Sequence, residues 1–418
     1  MWLINNYNKF FKSYLIVLFI FAVFFLFQKY EVGNDSTISE WLINYEGGFT
    51  KRGIIGQISI YFTYVLNITL RESILLFQIL IMAVYYLMLF FFLKNLETNR
   101  LILLAIFSPI FILYPVAEIE VLARKEVFIF IAFLFFITSK NENLKFISRI
   151  IIFPISVLVW EPVILFLPFW FLIDLIDKKI ENFNKEFFKL IVNYLPAIFI
   201  SFYIAFNPMG DAKHDIMSNF LKTKFDESCY MSCALLKTKS SLVSQFTANF
   251  PHYSFEVFFR YILIITIGFG PLFILSFFSK FKTFKFFLFK KIKNIFFILF
   301  ICLLPGFMLF AMGYDWGRWV NINYTYAVLF YIYLLKENHI EIDQLGLKKL
   351  TDKFFKNKKI FILFFIIFCF GWNPKTVMKG DVASFPGYRI PYKTFKIIKN
   401  KYIIKLSSIN LLFIKKLS

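Results

Sequence analysis

The sequence predicts an all-α, polytopic helical integral membrane protein, and three observations carry that expectation. Of 418 residues, 59% are hydrophobic and 22% aromatic, and mean hydropathy is +0.68. No ordinary soluble domain needs so much apolar surface. The apolar residues come in blocks long enough to cross a bilayer, which takes about 20 residues per helix. The cations cluster in short loops between these blocks, as the positive-inside rule expects. That placement accounts for the net charge of +21 without a nucleic-acid partner. An excess of Phe, Ile, Lys and Asn is also what a genome-wide base-composition bias produces, so composition alone carries no function. Counting blocks predicts about 10–12 transmembrane helices in a single membrane domain, residues 1–418, with no repeat and no soluble domain.

The first block, residues 14–27, follows Lys9 and Lys12. It is laid out like a signal peptide, but Gln28-Lys29-Tyr30 stands where a small-residue cleavage site belongs. A retained helix with a cytoplasmic N-terminus is therefore expected. Residues 31–72 become the first outer loop, with the amphipathic part 54–70 along the interface. Residues 73–93 cross inward, 101–116 cross outward with breaks at Pro109 and Pro115, and 127–138 return. The block 150–175 is long for one helix and short for two, with Trp160-Glu161-Pro162 at its middle. A single span would put Lys178, Lys179, Lys185 and Lys189 outside. Two short broken helices with Glu161 near the outer tip obey the charge rule instead.

Residues 190–206 lead out to the largest polar loop, 207–256, which has the length of a small lid. Residues 258–278 return to Lys280, Lys282, Lys285, Lys290, Lys291 and Lys293, a strong inside signal. The blocks 295–312, 320–335 and 360–370 complete the spans, and the tail 371–418 ends in a basic amphipathic stretch expected to lie on the membrane. Cys302 and Cys369 fall in apolar blocks and read as core residues. The spacing of Cys229 and Cys233 permits a disulfide if their loop is outside. His214, His252 and His339 are scattered, and no Asp-x-Asp pattern occurs, so no bound metal or other cofactor is expected.

Four polar motifs then share the outer face. The first is Tyr45-Glu46-Gly47-Gly48-Phe49-Thr50-Lys51-Arg52-Gly53. Its glycines permit close approach of a ligand, and Lys51 and Arg52 suit a phosphate. The others are Glu118 to Glu126 with Arg124 and Lys125, the lone Glu161, and Asp315-Trp316-Gly317-Arg318-Trp319. Ionisable groups converging at membrane depth read as a site. Each pair alone reads as a structural ion pair at a helix end, and it is the four together that read as a site. Trp316 and Trp319 suit either an interface belt or a sugar face.

These residues resemble bacterial membrane proteins of O-antigen and capsule assembly. The similar features are the stretch 45–56, Arg124-Lys125-Glu126 after an outward block, and 315–319 before a late inward one. The hydrophobic layout is similar to that of Wzy-type polymerases and, more broadly, of GT-C glycosyltransferases. The resemblance implies a GT-C-like architecture and a polyprenyl-(pyro)phosphate-linked glycan used at the outer face. It also implies membrane lipids and other polysaccharide-assembly proteins as partners. Under it, Lys51, Arg52, Arg124, Lys125 and Arg318 hold the phosphates, Trp316 and Trp319 meet the sugar, and Glu46, Glu161 or Asp315 activates the acceptor hydroxyl. Two departures stand out: Asp35, Glu40 and Glu46 are spread apart where an acidic pair is common, and the 207–256 loop contains no arginine. A lipid-linked-glycan flippase or other transporter would use the same cations without making a bond, and helices broken at Pro154 and Pro162 suit it. A non-catalytic assembly subunit is the third alternative.

Overall fold

The computed structural model describes residues 6–32, 36–237, 247–282, 294–355 and 357–378, with isolated positions at 284, 286–289, 292, 394 and 397–398. Their regular structure is helical apart from a short antiparallel ribbon pairing Ser279–Phe281 with Ile340–Ile342. Five helices are long and apolar enough to cross a membrane: Tyr7–Tyr30, Leu70–Leu93, Lys185–Phe206, Phe255–Phe277 and Ile295–Met312, the last interrupted at Pro305. The other apolar blocks form shorter pieces, among them Arg100–Ile106, Glu126–Thr138, Phe153–Val159, Leu167–Asp177 and Lys358–Phe370. The 10–12 blocks of the sequence therefore fold as five long helices packed with broken ones. Pro109, Pro154, Pro162 and Pro168 stand at or beside the breaks.

The burial pattern runs against that of a soluble bundle. Trp316–Lys336 carries Asn321, Asn323, Thr325 and four tyrosines, yet every residue from Trp316 to Leu334 is buried. Protein surrounds this central helix, so its polar groups find partners. Asn321 donates to the carbonyls of Ile110 (2.8 Å) and Phe111 (3.1 Å), and Tyr324 donates to that of Ala105 (2.8 Å). These carbonyls flank the break after Ile106, and freed backbone of this kind is tolerated at membrane depth only when protein satisfies it. The apolar helices lie outside and expose Ile20, Leu80, Leu87, Phe199 and Phe206. Surface of this kind faces lipid, and the chain is a multi-pass helical membrane protein.

Charged side chains segregate to two ends. At one end the basic loops meet. Lys145 pairs with Asp177, Lys178 with Glu142 (3.5 Å), Arg100 with Asp352 (3.1 Å), and Lys140 with Glu337. The block 150–175 is a hairpin. Arg149 meets Asp174 at its base (2.6 Å), while Glu161 at its tip pairs with Arg52 at the opposite end of the bundle. Short helices Phe153–Val159 and Leu167–Asp177 form its arms.

The described part of the 207–256 segment is no open loop. It contains the helix Asp211–Phe225 and the disulfide Cys229–Cys233. Arg71 holds its Glu227 (3.0 Å from Nη2), and the Ser232 amide donates to Ser39 Oγ (3.2 Å). A Cβ on Gly47 would stand 2.0 Å from the Lys213 carbonyl oxygen, so this glycine admits the folded segment, not a ligand. Gly53–Leu66 forms the amphipathic helix expected from residues 54–70. It buries Ser59 and Thr63 toward Leu70–Leu93, with Ser73 donating to the Ser59 carbonyl (2.8 Å), and exposes Tyr61, Tyr64 and Leu66. The basic stretch expected at the end of the tail lies outside the described residues.

Candidate functional site: a buried network of cations and carboxylates

Five separate segments meet at the end of the bundle opposite the basic loops. Glu40 follows the short helix Ser36–Ser39, which is pinned by Gln78 donating to the Thr37 carbonyl (2.8 Å) and by Trp41 donating to that of Ala123 (3.1 Å). Arg52 precedes Gly53–Leu66, Arg124 and Lys125 precede Glu126–Thr138, Glu161 caps the hairpin, and Asp315 precedes the central helix. Arg52 (φ 64°) and Ala123 (φ 49°) both hold the left-handed conformation. It costs a non-glycine residue roughly 1 kcal/mol and persists where surrounding structure imposes it. Here it aims Arg52 and the Arg124-Lys125 pair into the network.

Glu40 is the hub. Its carboxylate is fully buried and meets Arg124 directly, Arg318 at 3.5 Å and Arg52 at 3.7 Å. Arg318 also bonds Glu126 and, at 3.0 Å, Asp315, while Arg124 lies 3.5 Å from Asp315. Glu161 takes a two-pronged bond from Arg52 (2.7 and 2.9 Å), with Lys51 3.4 Å away. Lys125 donates to the Arg52 carbonyl. The five cations Lys51, Arg52, Arg124, Lys125 and Arg318 thus face the four carboxylates Glu40, Glu126, Glu161 and Asp315. Glu40 Oε2, Arg124 Nε and Arg318 Nε are buried without a hydrogen-bond partner among the described residues. Breaking a buried pair is costly, yet a paired one adds little to stability, so a network this size is poorly explained as scaffolding. Its orphaned guanidinium donors, Arg124 Nε and Arg318 Nε, fit an anion.

Access is graded. Lys51, Asp315, Arg52 and Glu161 are partly exposed and form a rim, while Glu40, Arg124, Lys125, Glu126 and Arg318 lie behind it. Burial would raise the Glu40 carboxyl, but Arg124, Arg318 and Arg52 overcome burial and hold it below the usual carboxylate range. For Asp315 burial wins over Arg124 and pushes the carboxyl up. Burial pulls the Lys125 ammonium down to about 7, Glu40 opposing and Arg52 reinforcing the fall. The sign is then fixed. Anion binding by purified protein should weaken as pH rises through about 7, because Lys125 loses its charge. Folded Lys125 binds its proton less tightly than unfolded Lys125, so its contribution to stability should rise over pH 7–10.5. Titrating inorganic pyrophosphate across this range checks the first half, and Lys125→Arg should flatten the profile. An unchanged profile in that variant would assign the titration elsewhere.

A strap completes the site. The Gly317 amide donates to the Thr376 carbonyl (3.1 Å) and the Met378 amide to that of Tyr314 (2.8 Å). A Cβ on Gly317 would stand 1.9 Å from the Lys375 carbonyl oxygen, so only glycine lets the strap lie this close. Buried Glu118 accepts from Asn373 (3.2 Å) and from the Thr376 hydroxyl (3.3 Å).

The expected residues are thus brought together with two exceptions. Glu46 stands apart, exposed, with Gln57 alone donating to its carboxylate among the described residues (3.2 Å). It points away because the Asn44 side chain accepts its amide and turns the chain (3.0 Å). Trp316 offers no sugar face. It is buried among Tyr253, Phe258, Tyr261 and Phe310, and its indole N–H donates to the Phe310 carbonyl (2.8 Å). Trp319 does belong to the network, with the Arg318 guanidinium 4.8 Å above its ring. Glu40 and the strap are the participants the sequence did not single out, while Glu118 and Glu126 were read as part of the 118–126 motif without a role of their own. The one available hint is that Glu40 is a lone acid entering the apolar run Trp41-Leu42-Ile43. Elsewhere, His214, Cys229 and Cys233 place ligand atoms within 4.8 Å of one another, but the two sulfurs are joined to each other. No protein-family model, curated protein or solved structure matches the chain.

Proposed function

We propose that the protein is an integral membrane glycosyltransferase, of the polysaccharide-polymerase kind, acting on a polyprenyl-(pyro)phosphate-linked glycan at the outer face of the membrane. The observation that carries this proposal is the cationic network of Arg52, Arg124 and Arg318 around Glu40, opened by a rim of Lys51, Arg52, Glu161 and Asp315. Lys51 and Arg52 meet the diphosphate first, and Arg124 and Arg318 add positive field behind them. The bond from the sugar anomeric carbon to phosphate oxygen breaks as the acceptor oxygen attacks that carbon. The acceptor proton passes to a carboxylate, and the diphosphate leaves as the anion that the arginines hold.

Asp315 is the fittest proton acceptor of the three expected carboxylates. It is on the rim, burial raises its carboxyl, and its Oδ1 has no hydrogen-bond donor among the described residues. Glu161 is held by Arg52 and Lys51, and Glu46 is outside the network. The hairpin that carries Glu161 is also a device that transporters use, so a lipid-linked-glycan flippase is the competing proposal. The test reconstitutes purified protein with a defined lipid-linked donor and a glycan acceptor. New glycosidic product supports the transferase. Donor bound and moved across vesicles without any new bond would overturn it in favour of transport.

Orientation is tested separately. Single cysteines introduced beside Lys51 and Tyr314 should be labelled from outside the cell, and those at Asn143 and Lys348 only after permeabilisation. The reverse pattern would put the network in the cytoplasm and remove the outer-face substrate.

A further inference from the structure

A second site lies at the basic end of the bundle, far from the network just described and independent of its function. A groove of about 380 Å³ opens between the base of the hairpin and the start of Lys185–Phe206. Arg149, Lys178 and Lys189 supply its cations, Asn193 a further polar group, and Phe146 and Leu190 its apolar walls. Arg149 sits in the π-helical turn Ser148–Ile152, a distortion frequent at functional sites. Its side chain is almost wholly buried, tied to Asp174 (2.6 Å) and Glu142 (3.1 Å), yet its Nε has no partner among the described residues. Glu142 also reaches Lys178 (3.5 Å), and Glu186 stands on the rim. Lys189 has no carboxylate within 4.0 Å among the described residues. Asp174, Glu142 and Glu186 match the three cations in number, so the cationic points left open are local ones: Lys189 and the unpartnered Arg149 Nε.

The surroundings specify the ligand further. Phe188 and Val192 of Lys185–Phe206 are exposed beside the groove, as are Ile147 and Ile151 across from them. A pocket with two unpaired cationic groups, Lys189 and the Arg149 Nε, is therefore continuous with a lipid-facing apolar wall. That is the shape of a phosphodiester head on acyl chains. The basic loops place it on the side that the positive-inside pattern assigns to the cytoplasm, where anionic lipids gather.

We propose that this groove binds the headgroup phosphate of an anionic phospholipid. The chemistry recognised, a phosphate beside cations, is shared with free phosphate, and the apolar wall favours the lipid. The test uses the full chain in mild detergent and measures affinity for short-chain phosphatidylglycerol, for phosphatidylcholine of equal chain length, and for inorganic phosphate. Phosphatidylglycerol should bind clearly more tightly than either. Lys178→Ala with Lys189→Ala should weaken it about thirty-fold, the size expected for two lysines at an anionic surface. Lys189→Ala alone, a change to an exposed side chain that leaves the fold intact, should weaken it about five-fold. Equal affinity for the two lipids, or an unchanged affinity in Lys189→Ala, would overturn the proposal. So would inorganic phosphate binding as tightly as the lipid, which would make this a free-phosphate site.

Discussion

Glu40→Gln should be among the most destabilising isosteric changes in the chain. It removes one negative charge where Arg124, Arg318 and Arg52 converge, and leaves them facing one another in a buried setting. Removing one partner of a buried ion pair costs about 3–5 kcal/mol, because the remaining charge keeps its desolvation penalty and loses its compensation. Thermal unfolding in detergent should show a large fall in melting temperature and a loss of folded protein in the membrane. Glu46→Gln is the matched control and should leave melting unchanged, since the Glu46 side chain is exposed and its carboxylate accepts from the neutral Gln57. A second signature separates an anion site from scaffolding. With one carboxylate fewer, Glu40→Gln should gain more stability from inorganic pyrophosphate than wild type does, because the added anion replaces the missing charge. Equal melting temperatures for the two variants would remove Glu40 from the centre of the network.

Arg318→Lys should cost about two orders of magnitude in product formation, the size typical of one lost charge-stabilising donor. The guanidinium bridges Asp315 (3.0 Å) and Glu126 at once and lies over the Trp319 ring. Lysine keeps the charge but has no planar fork, so it cannot span both carboxylates. If Arg318 stabilises the departing diphosphate, its contribution grows as the bond breaks. Turnover should then fall more than donor binding does. Asp315→Asn should likewise leave a folded, donor-binding and inactive protein, through loss of the proton acceptor. Binding and turnover falling in equal proportion would instead make Arg318 a ground-state anchor, as a transporter would use it.

How much of this was written in the sequence differs between the class and the site. The apolar blocks and the lysine loops determined a multi-pass helical protein, because hydropathy and charge bias are properties of consecutive residues. The same local logic led to the hairpin at 150–175, since its lysine-rich flank was incompatible with one crossing. Lys51, Arg52, Arg124, Lys125, Glu161, Asp315 and Arg318 were legible as candidates because charges beside apolar blocks are few.

Their grouping was not legible, and neither was the role of Glu40. That acid meets an arginine 84 residues away through the packing of Ser36–Ser39 against residues 119–123. No pattern of neighbours encodes such a contact. The same reason excluded Glu46, which a hydrogen bond to Asn44 turns outward, and buried Trp316, whose surroundings come from Phe255–Phe277 and Phe310. Gly47 looked like a ligand-approach glycine. It and Gly317 each proved to make room for protein backbone, that of Lys213 and of Lys375. Composition and periodicity thus determined which surfaces meet lipid. Only tertiary packing decided which charges meet one another, because the cost of burying a charge depends on partners brought from elsewhere in the chain.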